Sequence, residues 1–205
     1  VPPTKSAPVA TATSNKIVVT SKQEDFESGI VYEEYAIKKD GVWTTQQLNN
    51  FEGLKSDTVY YVKTISTDLA GNISESDELE IRTAKMTPGL ITFRKDNSTG
   101  ETFNVSEDIQ AEKNYINNNV YFEVAQGENG KTTYKVTDKD GNEVSVNEDI
   151  LKTSTGTYVV TATTTDGTNV IEKTYYIYID KTLPTRTSPT VVATTSKIIV
   201  TNNQT

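Results

Sequence analysis

The stretch Gly53–Asn72, "GLKSDTVYYVKTISTDLAGN", decides the fold of this chain. From Thr58 onward its β-branched and aromatic residues alternate with other residues, which is the period of a strand with one buried face. Asp, Gly and Asn near its end are residues that favour tight turns. The stretch therefore predicts a long strand that follows a bend at Leu54 and ends in a turn.

The composition of the whole chain agrees with a β-rich fold. Threonine accounts for 34 of 205 residues and is accompanied by 11 tyrosines, and such residues suit a pleated, half-buried surface. A hydrophobic content of 34% is low for one large core, but it suits thin sandwiches whose alternate strand positions face water. The predicted fold class is all-β: tandem immunoglobulin-like β-sandwiches, followed by the first strands of a third module.

The composition also excludes several classes of function. The chain has neither cysteine nor histidine, which removes disulfides, thiolate nucleophiles, Cys/His zinc sites and imidazole-based catalysis. Its net charge is −8 and its pI about 4.7, with both signs mixed along the chain. The chain therefore lacks the basic stripe that is typical of proteins that bind nucleic acids. No apolar run approaches the roughly 20 residues of a membrane span, so we expect no membrane insertion in this segment.

Period-two patterns and turn residues divide the chain into two sets of strands. "TAKMTPG", Thr83–Gly89, and "DKTLPT", Asp180–Thr185, interrupt the alternation with Pro and Gly. We therefore predict a β-sandwich at 6–84, a linker at 85–88, a second β-sandwich at 89–181, and a linker with opening strands of the next repeat at 182–205. The predicted strands are Thr11–Ser21, Val31–Lys38, Val42–Gln47, Thr58–Thr67, Glu78–Thr83, Leu90–Arg94, Phe103–Val105, Val120–Ala125, Thr132–Thr137, Glu143–Val146, Thr157–Thr164 and Val170–Ile179.

An internal repeat supports the assignment of residues 182–205. "SPTVVATTSKIIVTNNQ", Ser188–Gln204, matches "APVATATSNKIVVTSKQ", Ala7–Gln23, without a gap at a constant offset of 181 residues, the difference between positions 188 and 7. A repeat of this kind is typical of an array of similar units. Two strands cannot bury a core alone, so we expect residues 185–205 to be ordered by a neighbouring chain, by the preceding module or by the rest of a larger assembly.

The first predicted sandwich resembles a fibronectin type III domain. Leu54, Thr58 and Tyr60 occupy the places of that family's tyrosine corner, in which a buried tyrosine hydroxyl is bonded to the backbone of the preceding bend. The resemblance implies that this hydroxyl finds a backbone acceptor. Ser56 stands where the family usually has proline, which predicts a looser bend. No Arg-Gly-Asp sequence is present, so the adhesive role of that tripeptide is not implied.

The second predicted sandwich is similar to bacterial immunoglobulin-like domains. "TGTYVVTATTTDG", Thr155–Gly167, carries the resemblance, with Tyr158 as a second corner candidate. Together the two resemblances imply a multi-repeat, adhesin-type protein at the outer surface of a bacterial cell.

The acidic turns are weak candidates for calcium. Asp68 and Asn72 lie at a strand end, and Asp180 lies at the second predicted linker, where oxygen ligands for calcium would stiffen a joint. The alternative is a turn in which the Asp oxygens accept backbone N–H groups. "DKDGN", Asp138–Asn142, is favoured as a hairpin turn, because an EF-hand needs helices on each side and a Glu at its twelfth position. No other cofactor is expected.

The sequence favours a non-catalytic role. We expect a structural spacer or stalk repeat of a large extracellular surface protein, whose partners are neighbouring repeats of the same chain. A second hypothesis is an adhesive module for a host protein or glycan, with Trp43 as a candidate ligand-binding residue, although a structural role for Trp43 is favoured. An accessory module of a secreted polysaccharide-degrading enzyme and a phage structural protein are also compatible with this sequence.

Overall fold

The chain folds into β-strands that form several sheets, and the prediction of an all-β fold is confirmed. The computed structural model describes residues 1–185 and 188–201, and none of these residues lies in a helix. Within the same residues, no helix long and apolar enough to cross a membrane is found.

The first eight strands form two sheets. β1, β2 and β5 make one, and β4, β3, β6 and β7 make the other, with β8 also paired to β6. Their bounds are Val9–Ala12 (β1), Ile17–Thr20 (β2), Ile30–Lys39 (β3), Val42–Gln46 (β4), Asn50–Phe51 (β5), Val59–Asp68 (β6), Ile73–Glu75 (β7) and Leu79–Arg82 (β8).

Alternate residues of these two sheets share one core. In β6 the buried positions recur with period two, as the sequence predicted. The core joins residues of β2 and β5 to residues of β3 and β6 and to the bend before β6. Its buried members are Ile17, Val19, Ile37, Phe51, Leu54, Tyr60 and Val62.

A buried glutamine ties the N-terminal segment to this sandwich. The side-chain amide of Gln23 donates to the carbonyls of Thr4, at 2.8 Å, and Ser74, at 3.1 Å, and its oxygen accepts from the Thr64 hydroxyl at 2.8 Å. Because each polar atom of the buried amide has a partner, its burial does not leave an orphaned donor or acceptor. The matching residue of the repeat, Gln204, lies outside the described residues.

The next seven strands also form two sheets. The first has the order β10-β15-β14-β12 and the second β13-β11-β9, and β10 runs parallel to β15. Phe93 packs against Phe122 and Tyr175 with ring centroids 5.7 and 5.2 Å apart. The bounds are Leu90–Lys95 (β9), Tyr115–Ile116 (β10), Val120–Ala125 (β11), Lys131–Asp138 (β12), Ile150–Leu151 (β13), Gly156–Thr165 (β14) and Val170–Ile179 (β15).

The last two strands, Thr190–Ala193 (β16) and Ile198–Thr201 (β17), pair with each other in an antiparallel hairpin. Every residue of these two strands is exposed.

Three strand predictions are wrong. The run Thr11–Ser21 contains two strands rather than one, because the chain turns between them and the Thr13 amide donates to the Lys16 carbonyl at 2.8 Å. Ser14 and Asn15 are the turn formers that the alternation concealed. The segments Phe103–Val105 and Glu143–Val146 form no strand.

In both regions the backbone makes isolated bridges, Arg94 with Thr102 and Thr137 with Glu143. Segments this short bury too few side chains to sustain a ladder. The short strands β5, β7, β10 and β13 were not predicted.

The contacts divide the chain into two compact units. The first comprises residues 1–92, 124–135 and 161–174, and the second comprises 93–123, 136–160 and 175–205. The predicted boundary at 85–88 remains a prediction.

Candidate functional site

The strongest polar cluster of the first compact unit surrounds Asp166, in the hairpin between β14 and β15. We call it the Asp166 junction; it comprises the turn 13–16, the bend 54–56 and the hairpin 165–169. The buried hydroxyl of Ser14 donates to Asp166 Oδ2 at 2.6 Å, and the side-chain amide of Asn15 donates to the Asp166 carbonyl at 2.9 Å. The turn that separates β1 from β2 is therefore bonded to a hairpin more than 150 residues later in the chain.

Asn169 connects the same hairpin to the bend before β6. Its Oδ1 accepts the Ser56 amide at 3.1 Å, and its Nδ2 donates to the Leu54 carbonyl at 3.1 Å. Ser56 is the position at which the fibronectin-type pattern has proline, which lacks an N–H. Ser56, for which we predicted a looser bend, thus supplies the junction with a backbone N–H donor that proline would lack.

The junction favours the ionised form of Asp166. Partial burial raises the pKa of this carboxyl, but hydrogen bonds from the Ser14 hydroxyl and from Asn169 outweigh burial and lower the pKa to about 2, against an ordinary value of 3.8. The Asn169 amide, at 2.7 Å, and the Thr168 amide, at 2.9 Å, both donate to Oδ1. Charge-assisted bonds of this kind are stronger than bonds between neutral groups.

The predicted linker 85–88 is hydrogen-bonded to the loop at 128–129, and the residue before it is bonded to the turn 13–16. The Ala84 amide donates to the Thr13 carbonyl, and the side-chain amide of Asn129 donates to the Lys85 carbonyl at 2.7 Å. Thr87 exchanges two bonds with Glu128, of 3.2 and 2.9 Å. Residues 85–88 therefore have hydrogen-bond partners in a loop about 40 residues later in the chain.

Close backbone packing adds to these bonds. Gly127 has no side chain, and a Cβ at this position would lie 2.1 Å from the Thr87 carbonyl oxygen. At Gly89 a Cβ would lie 2.2 Å from the Thr132 hydroxyl, and the Gly89 amide donates to Thr164 Oγ1 at 2.8 Å. A side chain at either position would need its neighbours to shift, because a backbone carbonyl approaches Gly127 and the Thr132 side chain approaches Gly89.

The Asp166 carboxylate accepts hydrogen bonds from other groups of the protein itself. Across residues 1–185 and 188–201, no group of three or more His, Cys, Asp or Glu side chains is placed to hold a metal ion.

The tyrosine-corner candidates lie around the bend of the first sandwich. Tyr60 is buried and its hydroxyl oxygen accepts the Lys55 amide at 3.0 Å. We expected a backbone acceptor for this hydroxyl, whereas the backbone group that it meets is a donor. Leu54 is buried beneath the bend, and the Thr58 hydroxyl donates to the Ser56 carbonyl at 2.9 Å.

Tyr158 occupies a comparable bend before β14. It is buried, and its hydroxyl donates to the Ser154 carbonyl at 3.1 Å and contacts the Thr153 hydroxyl. In this bend the backbone group that the phenol meets is an acceptor.

Each acidic calcium candidate is hydrogen-bonded to groups of the protein. Asp68 is buried, and its two carboxylate oxygens accept the backbone and side-chain amides of Asn72, both at 2.8 Å. The hydrogen bonds from Asn72 lower the pKa of Asp68. The exposed carboxylate of Asp180 accepts the Thr182 amide at 2.9 Å. These are the contacts of Asp-centred turns, and calcium binding remains a prediction.

Trp43 lies on the face of the β3-β4-β6 sheet and is half-buried. Lys63 Nζ lies 4.6 Å from the Trp43 ring centroid and Lys38 Nζ lies 5.7 Å from it. Tyr61, 37% exposed, lies beside Lys38. Cations over an indole face are attracted to its π-electrons, so the ring is partly covered by lysines of its own sheet.

No protein-family model matches the chain, and no curated protein sequence matches it. The three N-terminal domains of the highly immunogenic outer capsid protein of bacteriophage RB49 are similar in structure, with 10% sequence identity and a TM-score of 0.44, over 84% of this chain and 59% of that one. Fibronectin(III)-like modules of Clostridium thermocellum CbhA share 10% identity with a TM-score of 0.27, over 85% of this chain and 90% of theirs. The chain thus spans less than two thirds of the phage fragment.

Sequence reasoning missed Asp166 and Asn169 as functional residues. "TDGTN", Thr165–Asn169, has the composition of an ordinary hairpin turn. The one local indication of this contact was Ser56, which provides a backbone N–H at a position where the fibronectin-type pattern usually has proline.

Proposed function

We propose that this chain is a non-catalytic structural spacer repeat of a large extracellular surface protein, and that its partners are neighbouring repeats of the same polypeptide. The observation that carries the proposal is the bonded linker. Within residues 85–88, the Lys85 carbonyl accepts from the Asn129 side chain and Thr87 exchanges two hydrogen bonds with Glu128. The amide of Ala84, the residue before the linker, donates to the Thr13 carbonyl.

A spacer keeps the domains on its two sides at a fixed separation only if its linkers restrict their motion. Flexible linkers behave as random coils with a widely varying end-to-end distance, whereas stiff linkers keep that distance nearly constant. The linker 85–88 is short and bonded, and the Asp166 junction beside it contains a charge-assisted hydrogen bond. Both features suit a segment that holds other domains in place.

The experiment is a comparison of ¹⁵N relaxation in the wild-type chain and in a variant with a Gly-Ser insertion between Lys85 and Met86. We expect residues 6–84 and 89–181 to tumble with one correlation time in the wild type and with two in the insertion variant. Two independent correlation times in the wild type would refute the spacer proposal, because the linker would already be flexible.

The same proposal places the protein at the outer surface of a bacterial cell and assigns it no catalytic activity. An acidic chain without cysteine, built from repeated β-modules, suits the outer surface of a bacterial cell, where net charge keeps the protein from aggregating. The polar groups of the Asp166 junction are bonded to each other, which favours a structural role over a reactive one.

An adhesive role at Trp43 is the second candidate. The ring is half-buried and lies beside Lys38 and Lys63, so one part of it remains open to a ligand. Because Trp43 is the single tryptophan of the chain, its fluorescence reports on this face alone. We expect no change on titration with soluble oligosaccharides if the spacer role is the whole function. A saturable change that is absent in Lys63→Ala would favour adhesion.

A further inference from the structure

The hairpin of β16 and β17 repeats the hairpin of β1 and β2 position by position. Both strands of the second hairpin begin and end 181 residues after their counterparts, the difference between positions 190 and 9. The pairing register is the same: Val9 faces Thr20 in the first hairpin, and Thr190 faces Thr201 in the second. The turn is repeated too, since the Thr13 amide donates to the Lys16 carbonyl and the Thr194 amide to the Lys197 carbonyl.

The two hairpins differ in what covers one face. Residues directly opposite in an antiparallel pair point to the same side of the sheet. In the first hairpin one face packs against the core, where Ile17 and Val19 are fully buried; its members are Ala10, Ala12, Ile17 and Val19. In the second hairpin the matching residues are Val191, Ala193, Ile198 and Val200, and all four are exposed.

We propose that this apolar face of β16–β17 is the docking surface for a β-sheet segment of the same kind as residues 25–84. The first hairpin shows what such a segment supplies. It covers Ile17 and Val19 with side chains that include Phe51 and Val62, and it pairs β5 with β2 through Ile17↔Phe51 and Val18↔Asn50.

The face itself favours this occupant. All four side chains are apolar, and Ile198 and Val200 are 68% and 62% exposed. An exposed apolar patch of this kind is typical of a surface that another protein segment covers. A second copy of the chain offers a poor match, because its equivalent surface is already occupied by its own Ile17 and Val19. The inference concerns the hairpin alone and does not depend on the spacer role.

One substitution within the repeat predicts a detail of the partner. Val191 stands where the first hairpin has the smaller Ala10, which is only partly buried. Added methyl groups strain a packed core unless the facing residue is smaller. A partner with the sequence of residues 25–84 should therefore bind the Val191→Ala hairpin at least as well as the natural one.

The test is hydrogen exchange on the full chain extended by a second copy of residues 25–84 after Thr205. The Val19 amide donates to the Asn49 carbonyl at 2.8 Å, so the matching Val200 amide is the reporter. We expect it to exchange on the order of 100-fold more slowly in the extended chain than in the 205-residue chain, because docking removes the open state.

Two controls make the result specific. Ile198→Asp in the extended chain should abolish the slowing at Val200 and leave the Val19 amide protected, which shows that the first sandwich remains folded. Val191→Ala should keep or increase the slowing.

Equal exchange at Val200 in the natural and extended chains would overturn the proposal. Concentration-dependent protection of Val200 in the 205-residue chain would also overturn it, by assigning the face to a second copy.

Discussion

Replacing Asp166 by Asn removes the negative charge of the junction and preserves the shape of the side chain. The wild-type carboxylate has a pKa of about 2 instead of 3.8. This difference of about 1.8 pH units, at about 1.36 kcal/mol each, corresponds to about 2.4 kcal/mol of stabilisation. Because Asp166 is only partly buried, solvent screening reduces the value, and we expect Asp166→Asn to lower the free energy of unfolding by about 1–2 kcal/mol near neutral pH.

The pH dependence gives the sign of the effect. A carboxyl whose pKa is lowered by folding stabilises the folded protein above its unfolded-state pKa, and this contribution is lost as the pH falls through the folded-state pKa. The difference in stability between wild type and Asp166→Asn should therefore be constant above about pH 5. It should shrink between about pH 4 and about pH 2, where the wild-type carboxyl is protonated.

The assay is urea unfolding of both proteins across this pH range, followed by circular dichroism. The matched control is Asp138→Asn, because the Asp138 carboxylate accepts from Asn142 and Asp140 within its own turn. Asp138→Asn should change stability less than Asp166→Asn. A difference between wild type and Asp166→Asn that is independent of pH, or no larger than that of the control, would refute the role assigned to the charge.

Two substitutions and one treatment probe individual bends, loops and turns of the chain. Tyr60→Phe should lower the free energy of unfolding by about 1 kcal/mol, measured by urea unfolding, because the Lys55 amide loses its hydroxyl acceptor. Gly127→Ala should lower the thermal midpoint in calorimetry, at a cost of about 1–3 kcal/mol, because its Cβ would lie 2.1 Å from the Thr87 carbonyl oxygen. A calcium chelator should leave the thermal midpoint unchanged, because donors from Asn72 already occupy the Asp68 carboxylate.

Each of these predictions has an opposing result. Unchanged stability of Tyr60→Phe would mean that water replaces the lost acceptor. A Gly127→Ala variant as stable as the wild type would show that the linker can shift at little cost. A lower thermal midpoint in chelator would assign a cation to the acidic turns.

The long strand β6 and its turn were predictable because their determinants are local. Alternation from Thr58 onward and the turn formers at Asp68 and Asn72 lie within one short stretch, and β6 ends at Asp68. The repeat was visible for the same reason: matching side chains at a fixed offset fold into matching hairpins. By contrast, the turn at Ser14 was hidden inside an alternating run.

The Asp166 junction could not be predicted because it joins residues that are far apart in the sequence. Ser14 and Asp166 are 152 residues apart, and each belongs to a turn whose composition is explained by the turn alone. Only tertiary packing brings a serine hydroxyl to a turn carboxylate. The departure at Ser56 indicated a contact, but its partner could not be inferred from one chain.

The most direct test of the fixed linker is hydrogen exchange at Thr87, in the wild type and in a Ser14→Ala/Asp166→Asn/Asn169→Ala variant. The Thr87 amide donates to the Glu128 carbonyl, so it is protected only while the linker stays bonded. We predict slow exchange at Thr87 in the wild type and much faster exchange in the triple variant, with the Val62 amide in the first core still protected. Exchange at Thr87 in the wild type as fast as in an unfolded peptide would contradict a fixed linker.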